Sequence, residues 1–89
     1  MAHYTIIIYT NVLRPKDGER ILNLKKSFSC ITELSVDLTD CDNVLRIVSA
    51  INISWILIDY LEMEDIKCKL IGVYQKVAER VMVIFEREI

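Results

Sequence analysis

Hydrophobic positions follow two different periods along this chain. His3–Val12, HYTIIIYTNV, is a near-continuous run of β-branched and aromatic residues. Such a run predicts a strand covered on both faces, and so central in its sheet. Pro15 and Gly18 then break the chain. Asp17 is a candidate N-cap, because its carboxylate can accept the free N–H groups of a first turn. Ile21, Leu24 and Phe28 recur at helical spacing with Lys25 and Lys26 between them, which predicts a helix over Gly18–Ser27. Ile31–Leu38, ITELSVDL, alternates instead. Leu34, Val36 and Leu38 point one way and Glu33, Ser35 and Asp37 the other, as in a half-buried strand near an edge. Thr39–Asn43, TDCDN, has the residues of a turn. Val44–Ala50 is the returning strand of the hairpin.

The second helical pattern is SWILIDYLEME, with Asn52 or Ser54 as its cap and Ile53, Ile56, Leu57, Tyr60 and Leu61 on its apolar face. Ile66–Ile71, IKCKLI, alternates again, with Ile66, Cys68 and Leu70 inward and Lys67 and Lys69 outward. The order β-α-β-β-α-β predicts one α+β domain. It is a ferredoxin-like sandwich with an antiparallel sheet and two helices on one face, occupying residues 1–71. Leu24, Phe28, Leu34, Val36, Ile47, Leu57 and Leu61 form its expected core. Residues 72–89 lie beyond that pattern and are too apolar for a disordered tail. As a helix they set Tyr74, Val77, Val81, Ile84 and Phe85 on one face. As a strand they alternate Val81, Val83 and Phe85 with Met82 and Ile84. Gln75, Lys76, Ala78, Glu79 and Arg80 tip the expectation of this C-terminal extension toward helix over a fifth strand.

The stretch TNVLRPKDGERILNLKKSF, Thr10–Phe28, joins a strand to a helix through a loop of the kind that often holds a ligand. With ITELSVDLTDCDNVLRI and IKCKLI, it resembles the heavy-metal-associated domains, the copper-chaperone-like family, over roughly residues 4–71. Ile21, Leu24 and Phe28 match the spacing of that family's apolar residues. The resemblance places the family's two metal-binding cysteines at Asp17 and Arg20. Two thiolates suit a soft ion such as copper(I). Here they are replaced by a hard oxygen donor and a permanent cation, which repels metal. The resemblance therefore implies the fold without the metal transfer. Asp17 then serves as a helix cap, paired with Arg20 three residues on.

Composition narrows the function classes. Eighty-nine residues make one domain. Apolar residues are 53% of the chain, above the usual ~45–50%. A thin core cannot hold that surplus, so some of it should lie outside and favour self-association. Eleven basic against 13 acidic residues give a net charge of −2, which predicts no attraction to nucleic acid or an anionic membrane. Lys25–Lys26 reads as a solvated helix face. With neither a secretory leader nor a membrane span in view, a cytoplasmic location is expected. Cys30, Cys41 and Cys68, spaced by 11 and 27 residues, fit neither a disulfide framework nor a zinc site.

No catalytic constellation emerges. His3 stands alone, Ser27, Ser29 and Ser54 lack a nucleophile elbow, and Glu62, Glu64, Glu86 and Glu88 lie in polar stretches. Trp55 and Tyr60 read as packing residues. Asp40, Cys41 and Asp42 are consecutive in a turn and do not converge as metal ligands do. Cys68 reads as a buried, inert thiol, and Lys26 is the only cation near Cys30. The expected role is a small non-catalytic protein-interaction module, without cofactor, that has lost metal binding. It is expected to be a homodimer through its C-terminal extension. The alternatives are a metal-handling protein with a thiolate site rebuilt on Cys41 or Cys30, and a small-ligand sensor domain.

Overall fold

The computed structural model of the chain describes residues 2–10, 15–38 and 43–87. Its elements are β1 (Ala2–Thr10), α1 (Pro15–Leu22), α2 (Leu24–Ser27), β2 (Ile31–Leu38), β3 (Asn43–Ser49), α3 (Ser54–Met63), β4 (Cys68–Val77) and β5 (Arg80–Glu86). The five strands form one antiparallel sheet in the order β2-β3-β1-β4-β5. This α+β arrangement is compatible with a ferredoxin-like sandwich, with one strand more than the expected four.

The core lies on one face of the sheet. Ile6 and Ile8 of β1, Leu45 and Ile47 of β3, and Leu70 and Val73 of β4 are buried there. Ile21, Leu24, Leu57, Ile58 and Leu61 cover them from the helices. Leu70 and Val73 are three residues apart. Both face inward because the register shifts between Ile7 and Ile8, which takes one residue of β4 out of alternation. β1 is central, as its composition predicts. Its odd-numbered residues Thr5, Ile7 and Tyr9 are only half-buried, because among the described residues no helix lies on that side. Coverage on both faces is therefore not seen in the single chain.

Helix limits and faces differ in detail from the sequence pattern. α1 begins at Pro15, whose fixed φ suits a first helical position. Asp17 thus falls inside the first turn and is not the N-cap. Asn23 separates α1 from α2, yet the hydrogen bonds Asn23 N–H to Glu19 O (3.0 Å) and Ser27 N–H to Asn23 O (2.9 Å) carry the helical path through. On α3 the buried residues are Ser54, Leu57, Ile58 and Leu61, the i, i+3, i+4, i+7 stripe of a helix on a sheet. Ile56 was expected inside and is 55% exposed; Ile58 takes its place. Asn52 Oδ1 accepts the Ser54 N–H at 3.1 Å before the first turn. The last turn closes with Ile66 N–H to Leu61 O (2.9 Å) and Asp65 N–H to Glu62 O (3.0 Å). Asp65 sits at φ 61°, the left-handed position of such a cap.

β2 is an edge strand, as its alternation suggests. Cover thins along it: Ile31 is buried, Leu34 half-buried, and Val36 is 36% exposed. Leu34 and Val36 are therefore not the core residues they were expected to be. The larger correction concerns the tail. β4 runs on to Val77, the chain reverses at Ala78–Glu79, and β5 returns beside it from Val77↔Arg80 to Gly72↔Glu86. No helix forms over 73–86. The free edge of β4 offers a ladder of backbone groups, and pairing with it overrides the modest helix propensity of residues 75–80. The turn lacks the glycine or asparagine that would announce it, and Ala78 takes φ 54°.

Two stability measurements check this architecture. Leu57→Ala should cost ~2–5 kcal/mol in urea unfolding, as at other buried leucines, whereas Leu34→Ala should cost only about 1–2. Equal losses would mean that β2 is as deeply packed as α3. Ala78→Gly removes a side chain from a left-handed position and should stabilise by about 0.5–1 kcal/mol. A loss of stability there would rule out the two-residue turn.

Candidate functional site

The sandwich brings Asp17 and Arg20 to one end of the molecule and uses both structurally. Asp17 is buried, at 3% exposure. Arg20 lies one turn further along α1, with Nη1 3.8 Å from Asp17 Oδ1. The same Nη1 donates to the backbone carbonyl of Glu64 at 2.7 Å, and Nε lies 3.6 Å from Glu64 Oε2. Glu64 ends α3, where unpaired carbonyls and the negative end of the helix dipole favour a cation. Arg20 therefore ties the first helix to the end of the last one. The Asp17–Arg20 pair was visible in the sequence. The Glu64 contact was not, because it joins residues 44 positions apart.

The two described thiols, Cys30 and Cys68, are free. Cys41 lies outside the described residues. Cys30 is half-buried after α2. Cys68 is half-buried under α3, its Sγ 3.8 Å from the Ile58 carbonyl. Burial, and then the negative charge of Glu62, push its thiol up to about 11. Among the described residues no group of three or more His, Cys, Asp or Glu is placed to hold a metal ion. Depressions at Glu62–Cys68 and beside Tyr9 and Lys69 open to solvent. Between sheet and helices the space is filled by Ile6, Ile8, Leu24, Leu45 and Leu57, all fully buried. No helix of the described residues is long and apolar enough to cross a membrane.

The apolar surplus collects elsewhere. Val81, Met82, Val83 and Ile84 of β5 are 62%, 58%, 59% and 46% exposed. Register fixes their directions. Met82 and Phe85 oppose Gln75 and Val73 on the helix side of the sheet, and Val81 and Val83 oppose Lys76 and Tyr74 on the open side. Ile84 falls in the register shift between them. β5 extends past the cover of α3, so its helix-side face forms a shelf. Trp55, 58% exposed, leans over it edge-on to Phe85 at 6.0 Å. Arg87 stacks over the Phe85 ring at 5.8 Å. A groove of about 500 Å³ runs along Val77, Arg80, Val81 and Met82. On the open side the Tyr74 ring lies over Gly72, where a Cβ would meet it at 2.8 Å. Its hydroxyl donates to Glu86 Oε2 at 3.2 Å.

This surface can bind through apolar contact and strand pairing. Tyr60, by contrast, packs inward against Phe28 at 5.4 Å. The exposed Trp55 has a signal in the sequence. Four consecutive apolar residues, Trp55–Ile58, exceed what one helix face can bury. Neither protein-family models, nor curated proteins, nor solved structures give a match to this chain.

Alkylation tests the placement of Cys68. In the native protein its reaction with iodoacetamide at pH 8 should be slow, and should rise steeply only as pH approaches 11. Because the folded thiol ionises later than the unfolded one, it supports the fold below pH 9, and that support should fade between pH 9 and about 11. Rapid labelling of the native thiol at pH 8 would show it to be exposed.

Proposed function

We propose that this chain is a small non-catalytic protein-interaction module with a heavy-metal-associated-like sandwich that lacks the family's soft-metal site. The observation that carries the reading is the unpartnered apolar surface of β5 and Trp55. Isolated exposed hydrophobic residues are ordinary, but a contiguous set of this size on a small domain marks an interaction surface. The loss of metal binding is supported by the work given to Arg20. A side chain that bonds the end of α3 is a structural tie, and its charge opposes a cation beside α1. The partner is a second copy of the chain, since one two-fold contact covers the surplus of both molecules.

Light scattering over a range of concentrations should give a mass of two chains that falls toward one on dilution. Val83→Lys, on the exposed strand, should weaken the dimer at least tenfold and leave the far-ultraviolet circular dichroism unchanged. A full-length protein that is monomeric throughout would overturn the dimer. A Val83→Lys variant that dimerises as tightly as the parent would remove β5 from the interface.

A further inference from the structure

The two edges of the sheet differ in a way that specifies how the contact is made. β2 ends the sheet on one side with Thr32, Glu33 and Ser35 exposed. β5 ends it on the other with Val81 to Phe85, a run without charge or proline. Exposed edges are normally blunted by lysine, proline, inward charge or a bulge, because their free N–H and C=O groups pair with other strands. On β5 only the bulge at Ile84 is present, and it leaves Arg80–Val83 regular. Residues of an antiparallel strand point their backbone groups alternately to the two sides. Arg80 closes the hairpin on Val77, so Val81 and Val83 point theirs to the free edge.

We infer that two copies join their sheets through β5, antiparallel about a two-fold axis at Met82. This rests on the interaction-module reading above and adds its geometry. In this register Val81 lies against Val83 of the second copy, and Val83 against its Val81, with four backbone hydrogen bonds between them. Met82 faces itself across the axis. The joined sheet has ten strands. The two helix-side shelves become one, lined by both copies of Trp55, Met82 and Phe85. Val77, Val81, Met82, Val83, Ile84 and Trp55 are each between 43% and 62% exposed. Pairing at this edge covers the flanks of Val81, Met82 and Val83 that face the second copy, while Trp55 and Val77 stay on the shared shelf. The run is flanked by Glu79–Arg80 on one side and by Glu86-Arg87-Glu88 on the other. The antiparallel register sets the first flank of one copy toward the second flank of the other, so no two flanks of like net charge meet.

The test is cross-linking of Met82→Cys in the full chain. Opposed residues in a non-hydrogen-bonded pair have Cα atoms about 4.5 Å apart, within disulfide reach. Mild oxidation should convert most of the Met82→Cys protein to a disulfide dimer, with peptide mapping placing the bond between the two substituted positions. Val83→Cys should give no such bond, since in this register its two copies lie beyond ~7 Å. A mixture of isotope-labelled and unlabelled parent protein supplies a second measure, in which Val81 should show intermolecular proton contacts to Val83. A dimer that forms without the Met82→Cys bond and without those contacts overturns the pairing but leaves the interaction module standing. A dimer bonded through Val83→Cys instead does the same. A parent protein monomeric at every concentration overturns both.

Discussion

Pairing of β1 on both of its edges is the constraint from which the rest follows. Seven of its residues pair with β3 and nine with β4. Its backbone groups are thus satisfied within the sheet, and Ile6 and Ile8 can be fully buried without stranding any polar atom. Once β1 is internal, β3 and β4 are fixed beside it and their outer edges need partners. β2 reaches β3 by a hairpin. β5 reaches β4 by another. Both helical layers must then cover the one face on which Ile6, Ile8, Leu45, Ile47, Leu70 and Val73 converge. The opposite face keeps Ile7 and Tyr9 only partly covered.

Local signals made most of this legible. The β-branched run of β1, the alternation in β2 and the 3.6-residue spacing of Ile21, Leu24 and Phe28 each mark an element by its own periodicity. Where burial depends on distant elements, the same signals mislead. Val36 alternates like a core residue, but helical cover gives out before reaching it. Ile56 fits a helical stripe as well as Ile58 does, and only the position of the sheet under α3 decides between them. The β4–β5 turn was hidden for a different reason. Val77-Ala78-Glu79-Arg80 has no turn residue, and it reverses only because β4 holds β5 in place despite Ala78 at φ 54°. Tertiary pairing chose that conformation against local preference.

Arg20 shows how the start of the first helix is tied to the end of the last one. A residue at the start of the first helix lies near the end of the last helix in a sandwich of this kind. A thiolate there can meet an ion. A guanidinium there can meet the carbonyls that end α3, and Arg20 does so at Glu64. The residue type was readable. Its actual partner was not, because no local pattern links Arg20 to a helix end 44 residues away.

The unequal edges bear on why the chain carries more apolar residues than its core can use. A small sandwich can end a strand in water safely if that strand is polar, as β2 is with Thr32, Glu33 and Ser35. A strand such as Val81–Phe85 exposes both its ladder and its side chains, and each defect aggravates the other. Burying the side chains alone would leave N–H and C=O groups dry and unpaired. Pairing the ladder alone would leave the shelf under Trp55 open. An added strand whose side chains are themselves apolar pairs the ladder and covers the flanks of Val81, Met82 and Val83 beside it, and β5 of a second copy is such a strand. The bulge at Ile84 then has a consequence of its own. By breaking the alternation at the far end of β5 it confines regular pairing to the stretch beside the hairpin, which limits the registers open to two copies.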